Sequence, residues 1–331
     1  MADMLQDSYG RVINYLRLAV TDLCNLRCTY CMPKEGLDWL PRKELMTYDE
    51  MLRICSLFAG MGIEKIRITG GEPFVRKDLF SFLRKLSMIP GLKELTVTTN
   101  GVLTAPLVPE LKQIGIKSVN LSLDTLDSDR FVRISHRDEL HKVLKTLDAL
   151  LLNGIDIKIN TVVMEDFNIS DIIPLVRLTK TLPISVRFIE QMPFNGGNKQ
   201  ASLTWNYKHI LQHIQQEFPS IIKIPDSPHS TSFNYHIPGH EGKVGIIAAY
   251  SRLFCGSCNR IRLTPLGVLK TCLYDNGKMN VKDGLRSGLS DEDIKKLISD
   301  AVLKKAKDGW EAERKRDNPD KVHESMATIG G

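Results

Sequence analysis

Ile66-Arg67-Ile68-Thr69-Gly70-Gly71-Glu72-Pro73 reads as a short β-strand that runs straight into a glycine turn. A helix pattern follows near 78–86, and the same unit recurs on both sides. Upstream, 16–20 is a strand containing Arg17. Its helix opens at the capping box Thr47-Tyr48-Asp49-Glu50 and carries Met51, Leu52, Cys55, Phe58 and Ala59 on one face. Cys55 therefore belongs to a core stripe. Downstream, strands over 95–98, 118–123, 157–163 and 185–189 alternate with helices. One of these helices has Leu140, Val143, Leu144, Leu147, Leu150 and Leu151 at helical spacing. Six βα units over 16–218 specify a parallel sheet. Six strands leave a barrel open on one side, with room for ligands inside, whereas eight close and fill it.

The strand over 16–20 leads into Cys24-Asn25-Leu26-Arg27-Cys28-Thr29-Tyr30-Cys31. Three of the seven cysteines stand here as C-x3-C-x2-C. Thiolates select iron–sulfur clusters, zinc or copper(I). A closed zinc site takes four ligands, and no His or Asp follows closely to complete this one. Three thiolates on a four-iron cluster leave one iron open to a small molecule. Zinc with a borrowed ligand and plain buried thiols remain alternative readings. The other special residues also sit at the carboxyl ends of strands, where parallel α/β folds build sites.

Past Pro225 the character changes. Pro225, Pro228, Pro238, Gly239 and Gly242 punctuate a loop-rich stretch. Strands are expected over 243–250, 261–264 and 268–272, and a helix capped by Ser290 carries Ile294, Leu297, Ile298, Ala301 and Val302. Cys255, Cys258 and Cys272 form a second trio, C-x2-C-x13-C, again without a fourth ligand. A zinc ribbon would close with a second C-x2-C pair, and Cys272 has no partner. Arg260 and Arg262 project to one face of a strand. Two guanidiniums beside an open metal site suit a phosphate-bearing ligand, although an exposed polar face would explain them if they stood alone. The chain divides into an α/β unit, 1–225, and a smaller C-terminal α+β unit, 226–331, that closes the open side. No motif is found over 202–240.

With 331 residues, 42% hydrophobic and 25% charged, the chain can bury a real core. A net charge of +6 without a concentrated basic stripe before the tail argues against nucleic-acid binding and fits a local cluster for a small polyanion. No run approaches a membrane span, and the N-terminal residues lack signal-peptide character. Seven cysteines, six of them in two clusters, point to a reducing, cytoplasmic setting.

The C-x3-C-x2-C spacing, with aromatic Tyr30 before the last Cys, resembles the radical S-adenosylmethionine (SAM) superfamily. That resemblance implies a partial (βα)6 TIM-like barrel and a [4Fe-4S] cluster on Cys24, Cys28 and Cys31 whose open iron chelates SAM. Gly70-Gly71-Glu72-Pro73 resembles the element that holds the methionine amino group. SAM contacts implied with it are Tyr30, Gly71, Glu72, Ser122 and Met192. The second trio, the C-x2-C-N-R-x-R run and the final Gly330-Gly331 narrow the resemblance to the GTP 3′,8-cyclase family of molybdenum cofactor biosynthesis. It implies a second [4Fe-4S] cluster on Cys255, Cys258 and Cys272, with guanine against its open iron. GTP contacts implied are Arg17, Arg67, Thr98, Lys158, Arg260, Ile261 and Arg262. Arg17, Arg260, Arg262, Gly330 and Gly331 form the implied catalytic set. The family reaction takes the 3′ hydrogen of GTP with a 5′-deoxyadenosyl radical and joins C3′ to C8. An external one-electron donor, a cyclic pyranopterin monophosphate synthase acting on the product, and a homodimer are family expectations. The competing readings are a radical SAM enzyme acting on a peptide and a zinc-bearing nucleic-acid or scaffold protein. On its own, Gly330-Gly331 would read as a frayed end.

Overall fold

The computed structural model describes residues 4–194, 204–277, 279–316 and 324–331. Residues 202 and 203 of the motif-free stretch 202–240, and 1–3 of the N-terminal stretch read for a signal peptide, lie outside them. Strands β1 (Tyr15–Ala19), β2 (Lys65–Thr69), β3 (Glu94–Thr99), β4 (Ser118–Ser122), β5 (Asp156–Val163) and β6 (Ser185–Glu190) lie side by side in chain order. Each is parallel to the next.

The alternation of strand and helix sets the parallel order, and a two-residue alternation within each strand sets which face is buried. Leu16 and Leu18, Ile66 and Ile68, Leu95 and Val97, Val119 and Leu121, Ile157 and Ile159, and Val186 and Phe188 are all buried in the main core. Their neighbours along each strand, most of them polar, face the other way. Burying one such apolar side chain contributes about 1.5–3 kcal/mol, so one face of the sheet is committed to the helices.

The helices that cover that face include α1 (Tyr48–Gly60), α2 (Leu79–Ser87), α3 (Val108–Ile114), α4 (Ser128–Ser135), α5 (Leu140–Leu152), α6 (Ile172–Leu178) and α7 (Tyr207–Glu217). Helix α1 starts on the expected capping box, with Thr47 and Glu50 bonded reciprocally, and Cys55 is fully buried on its inner face. Helix α4 was not read from the sequence. It is short and polar, capped by Asp127, with only Phe131, Ile134 and Ser135 buried.

The later strands build no separate sheet. They are β7 (Ile222–Lys223), β8 (Phe233–His236), β9 (Lys243–Ile247), β10 (Arg260–Leu263), β11 (Val268–Lys270) and β12 (Met279–Asn280). β9 pairs parallel with β6 at one side, and β10 pairs parallel with β1 at the other. The row of parallel strands thus grows from the expected six to eight, and antiparallel β8 and β11 follow at its two edges. The chain between β9 and β10 passes from one side of the sheet to the other, and it carries Cys255 and Cys258. Further helices are α8 (Val281–Arg286), α9 (Asp291–Leu303), α10 (Gly309–Arg314) and α11 (Met326–Ile329). No helix among the described residues is long and apolar enough to cross a membrane.

Candidate active site

Side chains from β1, β2, β5, β6 and β10 line one cavity, so the sheet is curled around it. An adjoining cavity, the first compartment, lies at the carboxyl ends of the strands, and the cavity inside the curl is the second. Thr98, Asn160, Ile189, Met192, Met326 and Gly331 line both, which makes them two compartments of one lumen.

Cys24, Cys28 and Cys31 line the first compartment together. Their loop is fixed by backbone bonds on two sides. Gly71 and Glu72 donate to the carbonyls of Thr21 and Leu23, and Arg27 and Thr29 donate to the carbonyls of Ser135 and Ile134 at the end of α4. The two glycines have a packing reason. A Cβ on Gly70 would stand 2.3 Å from the Thr21 carbonyl oxygen, and one on Gly71 would stand 2.3 Å from that of Leu23. Only glycine lets this turn lie against the cysteine loop.

Burial raises the Cys24 thiol to about 11 and Cys31 to about 12, and pushes Cys28 well up. Three protonated thiols crowd one apolar wall, a donor set that gains charge compensation when a cationic cluster replaces the protons. The Leu26 N–H lies 3.4 Å and the Asn100 amide 3.7 Å from the Cys24 sulfur, as donors to cluster sulfur ligands do. Among the described residues no three His, Cys, Asp or Glu side chains stand close enough together to hold one metal ion.

Glu72 is fully buried and lines neither compartment. Its carboxylate accepts from Phe74 N at 3.2 Å, Thr99 Oγ1 at 2.9 Å and Asn100 N at 2.7 Å. Burial raises its pKa to about 7 against those bonds. It braces the glycine turn to the end of β3. Gly70, Gly71, Tyr30, Ser122 and Met192 do line the first compartment. Tyr30 donates from its hydroxyl to Asp124 Oδ2 at 2.9 Å. Asp124 was not singled out in the sequence. It is buried on the same wall, also accepts from Val162 N at 2.8 Å, and is raised by burial to about 7.

The second compartment, about 380 Å3, holds Cys255, Cys258 and Cys272 at one end. Burial pushes Cys272 up to about 11. Burial acts the same way on Cys258, but Lys305 and Arg260 overcome it and draw that thiol down to about 6. Lys305, missed by sequence reasoning, is buried and donates to the carbonyls of Arg260 and Thr271.

Eight cations line this compartment: the expected Arg17, Arg67, Lys158, Arg260 and Arg262, together with Lys65, Arg187 and Arg252, the last of them paired with Glu313. Lys65 and Arg187 share the inward register of their neighbours, since Lys65 precedes Arg67 by two on β2 and Arg187 on β6 pairs with Asn160 on β5. Arg17 Nε, Arg187 Nε, and Arg260 Nε and Nη2 are buried without a hydrogen-bond partner. Burial lowers Arg17 and Arg187 to about 10 and Lys158 to about 8, and neighbouring cations reinforce the effect on Arg17 and Lys158. Ile261 differs from its neighbours: its side chain is fully buried in the core, so only its backbone is available to a ligand.

The end of the chain is not frayed. Ser325, Ala327 and Ile329 are buried, Gly330 accepts from Arg262 Nη1 through its carbonyl, and Gly331 lines both compartments.

A curled parallel sheet with a C-x3-C-x2-C loop at the end of its first strand has the build of a radical SAM protein, and residues 18–179 match the Radical SAM superfamily model. Residues 184–310 match Molybdenum Cofactor Synthesis C. The chain is 42% identical over 91% of its length to "GTP 3',8-cyclase" of Clostridium perfringens, covering 93% of that protein. It is 41% identical to "GTP 3',8-cyclase, mitochondrial" of Arabidopsis thaliana, covering 78% of it. The chain belongs to the GTP 3′,8-cyclase family of the radical SAM superfamily. It is also 42% identical to molybdenum cofactor biosynthesis protein 1 of Mus musculus, but spans only 48% of that longer relative. Among solved structures, Streptococcus suis SuiB shares the fold, with a TM-score of 0.65 at 16% identity over 97% of this chain and 79% of that one.

Proposed function

We propose that this chain is an enzyme that converts GTP to (8S)-3′,8-cyclo-7,8-dihydroguanosine 5′-triphosphate, using SAM and two [4Fe-4S] clusters. The observation that carries the reading is the layer of buried, partly unpartnered guanidiniums in the compartment that also holds the second cysteine trio. A peptide substrate gives no reason for such a layer, whereas a triphosphate does.

Cys24, Cys28 and Cys31 would hold one cluster, and Cys255, Cys258 and Cys272 the other. When bound, the first cluster and SAM supply a carbon radical able to abstract hydrogen. The chain's own residues do the rest. Arg17, Arg67, Lys158, Arg260 and Arg262, with Lys65 and Arg187, fix the triphosphate. The backbone at Ile261 and the side chain of Thr98 flank the nucleoside. Gly70, Gly71, Tyr30, Ser122 and Met192 shape the SAM compartment, with Glu72 bracing it from behind. Gly330 and Gly331, slim enough for the junction of the compartments, exclude water and complete the catalytic set with Arg17, Arg260 and Arg262.

The finer assignments follow from this reading. An external one-electron donor serves the clusters, a cyclic pyranopterin monophosphate synthase takes the product, the compartment is the cytoplasm, and the protein is a homodimer. The division at 225/226 separates the barrel units from the part that brings the second trio. Anaerobic incubation of the reconstituted protein with SAM, reductant and GTP tests the function. The expected products are 5′-deoxyadenosine and the cyclised nucleotide in equal amounts. A colourless protein without iron after reconstitution would sink the reading.

A further inference from the structure

Residues 324–331 enter the lumen from a fixed point outside it. Glu324 lines neither compartment. Its carboxylate accepts from Lys270 Nζ at 2.7 and 2.8 Å and from Arg316 Nη2 at 2.7 Å. Both cations are buried, Lys270 at 1% and Arg316 at 7% exposure. Arg316 is itself oriented by Nε donating to Asn276 Oδ1 at 2.8 Å. The nearby Asp275 is otherwise engaged, accepting from Thr271 N, Thr271 Oγ1 and Cys272 N at 2.8 Å each. Burying two cations is costly unless each has a carboxylate partner, and here both face the same one.

The clamp is continuous with the substrate compartment. Lys270 on β11 stands opposite Arg262 on β10, and paired residues of an antiparallel ladder share a face. The hairpin therefore grips the tail twice: Lys270 holds the carboxylate of Glu324, and Arg262 holds the carbonyl of Gly330. Between these grips, Ser325 Oγ donates to the Cys31 carbonyl at 2.6 Å, and Met326 N donates to the Phe194 carbonyl at 3.1 Å. Met326 and Gly331 then reach both compartments. The path from Glu324 to Gly330 is one helical turn and its caps, too short to absorb a slip at its start.

We infer that Glu324 is a positioning residue: held by Lys270 and Arg316, it sets the register in which the Gly330-Gly331 tail enters the lumen. The inference rests on the proposed cyclase reading for its effect on turnover, but not for its effect on the tail.

The test uses the full-length, reconstituted protein and four variants: E324A, E324Q, E324D and the double change K270M/E324Q. Hydrogen exchange at amides 326–330 reads tail seating, GTP binding and GTP turnover are measured separately, and thermal melting monitors the fold. In E324A and E324Q, exchange at 326–330 should rise about tenfold or more, because the charge-assisted bonds to both cations are lost. Turnover should fall by a similar factor while GTP affinity stays within about twofold, and E324D should recover part of both. The double variant leaves no unpaired Lys270 charge, although Arg316 still lacks its carboxylate, so its melting temperature should recover in part while the tail stays exposed. Unchanged tail exchange in E324A would overturn the clamp. Exposed tail amides with wild-type turnover would overturn the positioning role. A parent protein with a protected tail that leaves GTP untouched would instead sink the cyclase reading, and the clamp would stand on the exchange data.

Discussion

Arg17 on β1 and Arg262 on β10 stand in register on neighbouring parallel strands, two guanidiniums side by side at the wall of the second compartment. Burial, with the charges of Arg17 and Arg260, drives the Arg262 pKa well down. Such a pair opposes folding when alone and favours an anion when one arrives. Arg17→Met should therefore act with opposite signs in two assays. Without nucleotide, the melting temperature should hold or rise. Triphosphate binding should weaken about ten- to a hundredfold, the worth of one charge-assisted bond. Calorimetric binding and thermal melting on one preparation check both signs. Undiminished GTP affinity would remove Arg17 from the phosphate site.

Lys158 gives the compartment a pH dependence. Burial first, then the charges of Arg187, Lys65 and Arg67, lower its pKa to about 8 in the free protein. A bound polyphosphate favours the ammonium and raises that value again, so binding takes up a proton near pH 8 and above. Affinity should be full below this point and fall as pH rises through it. Ribose 5′-triphosphate is the suitable probe, because guanine and the last proton of inorganic tripolyphosphate both ionise in the same alkaline range. Lys158→Met should bind more weakly at neutral pH and lose the slope. A wild-type affinity that stays flat from pH 7 to about 9.5 would contradict the assignment.

What could be read from the sequence was local. The capping box Thr47–Glu50 and the cap Ser290 are set by residues a few positions apart, and both stand as read. The six parallel units followed from the recurrence of strand, special residues and helix. Lys65 and Arg187 were legible in principle, since each falls on the inward step of a strand that alternates with core residues. Which face is the lumen, however, depends on the curl of the whole sheet. Lys305 and Glu324 left no local signal, because their partners Arg260 and Lys270 are tens of residues away along the chain. Glu72 and Ile261 lie within motifs that imply contact with a ligand. The structure places their side chains behind the wall, where hydrogen bonding and core packing decide their orientation.

The buried bonds of Glu72 set the result of replacing it. Glu72→Ala strips an acceptor from the backbone N–H groups of Phe74 and Asn100 and from the Thr99 hydroxyl. Leaving the two part-buried backbone donors unsatisfied costs about 1–3 kcal/mol each, so the metal-free chain should lose about 2–6 kcal/mol in denaturant unfolding. Glu72→Gln keeps one acceptor and should lose less. An E72A protein that unfolds like the parent yet no longer binds SAM would make Glu72 a ligand rather than a brace.

Iron content separates the seventh cysteine from the other six. Cys55 is fully buried on the inner face of α1 among core residues, and burial alone pushes its thiol up to about 12. Cys55→Ala should cost about 1–2 kcal/mol of stability and leave about eight irons per chain. Cys24→Ser or Cys258→Ser should remove about four. Loss of iron from C55A in a protein that remains folded would mean that the trios have been drawn wrongly.

Gly330 tests whether the tail works inside the lumen or merely rests there. Its φ is 80°, in the left-handed region, and an added Cβ would come within 2.4 Å of Thr69 Oγ1 and 3.1 Å of Ala19 Cβ. Gly330→Ala must therefore shift the tail away from the ends of β1 and β2 and loosen the carbonyl that Arg262 holds. Neither cysteine trio includes these residues, so iron content and absorption should match the parent. GTP cyclisation should fall at least about tenfold in G330A and vanish when residues 330 and 331 are deleted, because the junction between the compartments is then open to water. Product chromatography with matched iron assays decides it. Full cyclisation by the truncated protein would show that the tail is a structural filler and that the lumen completes its chemistry without it.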